Sequence, residues 1–143
     1  MRLSLPAPHS LSVDLGEEWL PDEQAAELIE DFGVNVRSKT HLIYLNLRRQ
    51  SAGAHTLDAT GLLGFLREQN WASPPFNEWT VKSGGLVAVG GTFETVGMGG
   101  EVVTEIFATD GTSVANFAGV GERSVMVAVT PAAQALVRTL RFG

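Results

Sequence analysis

Asp110-Gly111 joins two β-patterned runs, residues 101–109 and 112–120. An Asp-Gly pair in this setting is the strongest short-range hairpin signal, because a two-residue turn needs positive φ and glycine supplies it without strain. The pair predicts an antiparallel ladder in which Thr109 faces Thr112, Phe107 faces Val114 and Glu105 faces Asn116. Val102, Thr104, Ile106 and Ala108 then share a face with Ala115 and Phe117. Residues 86–96, equally rich in Val, Thr and Phe, precede the turn Gly97-Met98-Gly99-Gly100. Residues 124–129 read as a further strand. The second half of the chain is therefore a local antiparallel meander.

The first half mixes strands and helices. Residues 2–5 and 10–15 are short alternating segments split by Pro6 and Pro8, which suits edge or entry strands. Pro21-Asp22 begins a predicted helix over 22–32, with Ala25, Leu28, Ile29 and Phe32 at helical spacing and Gly33 at the C-cap. In residues 41–48, Ile43, Leu45 and Leu47 fall on one strand face, and Leu42, Tyr44, Asn46 and Arg48 on the other. A second helix is predicted over 57–70, with Leu62, Phe65 and Leu66 inward and Thr56 or Asp58 as cap. Residues 71–79, containing Pro74-Pro75, read as a turn-rich connector. Thr130 caps a last helix with Pro131 in its first turn and Ala133, Leu136, Val137 and Leu140 as its core stripe. The whole reads as one α+β domain over 1–143, an antiparallel β-sheet meander of about five strands with helices packed on it. A chain of 143 residues can bury a core without disulfides, and this one has no cysteine.

Charge narrows the partners. There are 16 acidic and 10 basic residues, for a net charge of −6. Nucleic-acid binding needs clustered bases, so it is not expected. Eight of the acids fall in residues 14–31 with no base among them, while Arg37, Lys39, Arg48 and Arg49 follow without an acid between. The acidic run is either a solvated face or a surface for a partner with a basic face, led by Glu23, Glu27 and Glu30. No secretory signal is recognisable and no stretch approaches the apolar length of a membrane span, so a soluble, cytoplasmic protein is expected.

Motifs for chemistry are missing. The glycines at 90–91, 97–100 and 119–121 fit neither the dinucleotide fingerprint nor the P-loop. His9, His41 and His55 have no metal-ligand spacing, and no nucleophile elbow exists. Glu94, Glu101 and Glu105 lie on neighbouring strands, where they read as solvent-facing rather than as an acid–base pair. No catalytic residue, metal or cofactor is assigned. The aromatics Trp19, Trp71, Phe76 and Trp79 fall in the expected connectors, where they either plug the core edge or anchor an interface.

The order of elements, with the C-terminal segment Val137-Arg-Thr-Leu-Arg-Phe142, resembles the PsbP-like superfamily over roughly residues 41–142. That group includes extrinsic photosystem subunits, a nuclear-transport GTPase-release factor, actinobacterial lipoproteins and bacterial secretion-effector chaperones. Several members end in a helix with a similar pattern, in which Thr139 here replaces the usual Ser. The acidic helix at 22–32 departs from many members. The resemblance implies an antiparallel sheet with packed helices and a role in binding proteins rather than catalysis. Three readings stand. One is a small protein-binding module: an adaptor, an effector chaperone or an immunity-type inhibitor, contacting its partner through Trp19, Glu23, Glu27, Glu30, Trp71, Phe76 and Trp79. Another is a ligand carrier or enzyme with Tyr44, Glu94, Glu105 and Asn116 around a pocket. The third is a homo-oligomer, such as a homodimer, paired through the 86–96 strand or an N-terminal edge.

Overall fold

Long-range antiparallel pairing organises the molecule in the computed structural model, which describes residues 1–22, 32–69, 71, 73–96 and 99–143. Four consecutive strands form its backbone: β6 (Phe76–Ser83), β7 (Leu86–Glu94), β8 (Glu101–Thr109) and β9 (Val114–Glu122). β9 pairs with β5 (Tyr44–Gln50), which continues through β4 (Val34–Ser38) to β3 (Trp19–Pro21). The order across this seven-stranded sheet is β3-β4-β5-β9-β8-β7-β6. A second, three-stranded sheet combines β1 (Arg2–Leu5), β2 (Leu11–Asp14) and the terminal β10 (Arg141–Phe142). Both sheets are antiparallel, as expected, but they contain more strands than five.

The hairpin register departs from the two-residue expectation. Thr109 pairs with Val114, Phe107 with Asn116 and Glu105 with Ala118. The loop is four residues, 110–113. The Asp110 carboxylate accepts from the backbone N–H of Thr112 (2.9 Å) and Ser113 (2.8 Å), and the Thr109 hydroxyl donates to the Ser113 carbonyl (2.7 Å). Two side chains thus replace ladder bonds that a tighter turn would make. A slip of two residues keeps every side chain on its face. Ala108 now meets Ala115 and Ile106 meets Phe117, on the face expected for all four.

The two sheet faces bury different cores. On one face, Leu45, Leu47, Ile106 and Phe117 pack with the three-stranded sheet and with two helices, α2 (Arg123–Ala128) and α3 (Thr130–Val137). On the other, Val89, Phe93 and Phe107 pack beneath the helix α1 (Ala59–Arg67). Asp58 caps α1 by accepting from the Gly61 N–H (2.8 Å). Gly61 is required there, since a Cβ would lie 1.9 Å from the Thr56 carbonyl oxygen.

Other expectations are corrected. Residues 124–128 lie in α2, with Val129 as its C-cap, and not in a strand, because helical spacing buries both Met126 and Val129 and outweighs the β preference of the valines. Thr130 is not a cap, as its hydroxyl turns back to the Met126 carbonyl (3.1 Å). α3 ends at Val137, and Arg141-Phe142 pair with β2 instead of prolonging it. Thr139 fixes this exit, accepting from the Asp14 N–H (2.8 Å) and donating to the Leu136 carbonyl (2.7 Å). Strand β6 begins at Phe76, inside the expected connector, because Pro74-Pro75 stop just before it. The 86–96 strand is internal to the sheet, paired on both sides, and so offers no free edge. The helix expected over 22–32 lies largely outside the described residues.

Candidate functional site

α1 covers only part of its sheet face, over β7 and β8. Among the described residues no helix packs over β9, β5 and β4 on that side, where the Phe32 carbonyl reaches Asn46. The side chains there are set by strand alternation. Leu45 and Leu47 point into the opposite core, so Tyr44, Asn46 and Arg48 point to the uncovered side. β9 adds Ala118 and Val120, and β4 adds Asn35 and Arg37. Tyr44 is 47% exposed and Val120 42%. Beside them the 39–43 turn lifts Leu42 to 66% exposure, with φ of +59°. The Glu18 carboxylate braces this turn by accepting from Ser38 Oγ, Thr40 Oγ1 (2.8 Å) and Thr40 N (3.2 Å). These bonds hold the Glu18 carboxyl below its ordinary range. Leu42 takes the left-handed position that closes this loop, its N–H donating to the Ser38 carbonyl (3.0 Å), at some cost in strain for a bulky side chain, and it turns that apolar side chain to solvent.

Between these side chains runs an open groove of about 440 Å³, lined by Ala118 and by the backbone of Gly119 and Gly121, whose missing Cβ atoms face the opposite core. Glu101 lines its end. Glu101 and Glu122 are direct cross-strand partners and both are exposed, so like charges stand side by side at this rim. Asn46 Nδ2 donates to the Phe32 carbonyl (2.7 Å) and to Asn35 Oδ1 (3.0 Å), which orders the other wall.

Where the covered and uncovered halves meet stands Glu105, only 9% exposed. Its cross-strand neighbours, Gly91 and Ala118, are small, and Leu66 and Pro75 close over Gly91. Burial pushes the Glu105 carboxyl up to about 7, against the opposing pull of Arg48 and Asn116. Asn116 donates Nδ2 to the Ile106 carbonyl (3.2 Å), and its buried Oδ1 has no hydrogen-bond partner among the described residues. The expectation that Glu105 faces solvent is thus overturned, since its strand face is the one α1 packs on. Glu94 lies on the opposite face from Glu101 and Glu105 and pairs with Arg123. The three carboxylates therefore do not share a site. Among the described residues, no three His, Asp or Glu side chains come together as a metal site.

The other singled-out residues scatter. Trp19 lies in β3, 4% exposed, with Nε1 donating to the Ala132 carbonyl (3.3 Å), so it is a core residue. Trp79 lies in β6 and packs against Gly90, where a Cβ would come within 2.3 Å of the indole. Phe76, also in β6, lies under the Arg123 guanidinium, 4.4 Å from the ring centre. Both therefore belong to a strand and not to the expected connector. Trp71 is 39% exposed and reaches Phe93 across 6.3 Å. Glu23, Glu27 and Glu30 lie outside the described residues. The alternation of 41–48 signals the Tyr44 face, but Val120 becomes part of it only through the β5–β9 pairing.

No family model matches this sequence, and no curated protein does. Among solved structures, the solution structure of cyanobacterial PsbP from Synechocystis sp. PCC 6803 matches all of this chain and 92% of its own, with a TM-score of 0.60 at 15% identity. The strand order, the packed helices and this match together give the chain a PsbP-like α+β fold.

Proposed function

We propose that this chain is a non-catalytic protein-binding module that seats its partner on the β9–β5–β4 half of the seven-stranded sheet, beside α1. One observation carries the reading: Leu42, Tyr44 and Val120 are exposed together around one groove, and Leu42 is held there in strained backbone. Aromatic and aliphatic anchors of this kind supply lasting affinity once a partner excludes water from them. The acidic rim of Glu101 and Glu122 and the net charge of −6 favour a partner with a basic face. A cytoplasmic location accords with this reading and is part of the proposal. No helix among the described residues is long and apolar enough to cross a membrane.

The ligand-carrier reading draws on the burial of Glu105 beside Asn116. It is the weaker of the two, because the groove is open to solvent while Asn116 is sealed off beneath the surface. Tagged co-purification from the native cell, comparing wild type with a Tyr44→Ala/Val120→Ala double variant, tests the choice. A stoichiometric protein retained by wild type and lost by the folded variant supports the module. Equal retention by both, or no protein partner with either, removes it.

A further inference from the structure

The sheet has two edges, and they differ. β3 is three residues long and ends in Pro21, which has no N–H to donate. β6 is eight residues long, contains no proline, and has no strand of this chain on its outer side among the described residues. A bulge that takes in Asn77 and Glu78 irregularises its start, which leaves Trp79–Ser83 as the regularly paired edge with Glu78 at its boundary. Gly84-Gly85 is a two-residue turn joining Ser83 to its partner Leu86. Residues flanking such a turn exchange hydrogen bonds, and the pattern then alternates along an antiparallel ladder. Counting from Ser83 turns the N–H and C=O of Lys82 and Thr80 away from β7, towards the open edge. Thr80 and Lys82 are exposed, and so is Glu78, which ion-pairs with Arg67 at 3.0 Å.

We propose that β6 pairs antiparallel with β6 of a second copy of this chain, about a two-fold axis between the two Thr80 residues. The case is the self-complementarity of the segment. With Thr80 opposite Thr80, Glu78 of each copy faces Lys82 of the other, and Trp79 of each faces Val81 of the other. These are a threonine pair, two opposite-charge pairs and two aromatic–β-branched pairs, all of them stabilising cross-strand combinations. The outward-facing N–H and C=O of Thr80 stand where a hydrogen-bonded central pair needs them. An isologous two-fold contact of this kind closes on itself and joins two seven-stranded sheets into one. Because β6 is an outer strand and the groove lies over β5 and β9, one copy can engage both surfaces.

Sedimentation of the full chain over micromolar to millimolar concentration tests the pairing. Wild type is expected to show a monomer–dimer equilibrium. Glu78→Lys and Lys82→Glu should each weaken it about tenfold, because both charge pairs become repulsive, while circular dichroism stays native. Mixing the two variants should restore the dimer, since both lysines of one variant then face both glutamates of the other. The chain has no cysteine, so Thr80→Cys carries a single thiol. Cα atoms in a hydrogen-bonded pair lie about 5.5 Å apart, within disulfide reach, so this variant should oxidise to a covalent dimer much faster than a Thr112→Cys control. A monomer at every concentration overturns the proposal. So does a dimer indifferent to both charge variants, or one that fails to recover on mixing.

Discussion

The two halves of one sheet face make opposite use of the same alternating pattern. Over β7 and β8, α1 seals Val89, Phe93 and Phe107 completely, with Leu62 and Leu66 above and the Phe65 ring edge-on to Phe107 at 4.8 Å. Over β9 and β5, the equivalent positions are Val120, Tyr44 and Ala118, and they remain open. Core residues are held by packing that any loss of volume disturbs. Exposed apolar residues that touch little of their own chain add little to folding and remain available to a partner. Glu105, at the seam, shares the burial of one half and the polar neighbours of the other.

The sharpest way to break this comparison is to truncate both halves. Phe107→Ala should cost roughly 3–5 kcal/mol in urea unfolding, since it empties a sealed site. Tyr44→Ala should stay within about 0.5 kcal/mol of wild type and yet lose the partner. Equal stability losses would mean that the open half is core in disguise.

Next in size is the seam. The folded Glu105 carboxyl titrates at about 7, above its ordinary 4.5. The folded state therefore holds its proton more tightly than the unfolded chain does. Its contribution to stability is fully present below about pH 4.5 and is lost as pH rises through 7, by at most about 3 kcal/mol. Glu105→Gln should remove this fall between pH 4.5 and 7 in unfolding curves and be the more stable protein at pH 8. An identical pH profile in the variant would show that Glu105 is better solvated than its place at the seam implies.

Leu42→Gly should relieve left-handed strain and raise stability by about 1 kcal/mol, while partner retention falls. Loss of both would mean that Leu42 packs within the chain. The smallest expected effect is electrostatic. Glu122→Lys should slow association with a basic partner several-fold at low salt and little at high salt, with stability shifted by a few tenths of a kcal/mol. An unchanged association rate would remove the acidic rim from the account.

The faces are more legible in the sequence than the pairings are. Alternation puts Ile43, Leu45 and Leu47 inward and Tyr44 outward, as observed, because strand period depends only on backbone geometry. The hairpin keeps its faces although its register moves by two, since Asp110 and Thr109 bond the loop locally in a way the dipeptide alone does not specify. Residues 124–129 mislead, because their valines favour a strand while the position of Met126 over Gly121 favours a helical turn. The site itself is half visible. Leu42 and Tyr44 share the outward face by alternation alone, although Leu42 proves to lie in a turn before the strand, whereas the place of Val120 beside them depends on a long-range pairing that no local pattern encodes. Trp19 and Trp79 look available in the sequence because an aromatic next to glutamate reads alike whether or not the core later closes over it.

Hydroxyl-radical footprinting of the chain, alone and saturated with its purified partner, tests the central claim most directly. Oxidation of Leu42, Tyr44 and Val120 should fall on binding, while that of Trp71, which lies against Phe93 beneath α1's half of the face, should be unchanged. Protection that bypasses Leu42, Tyr44 and Val120 would contradict it.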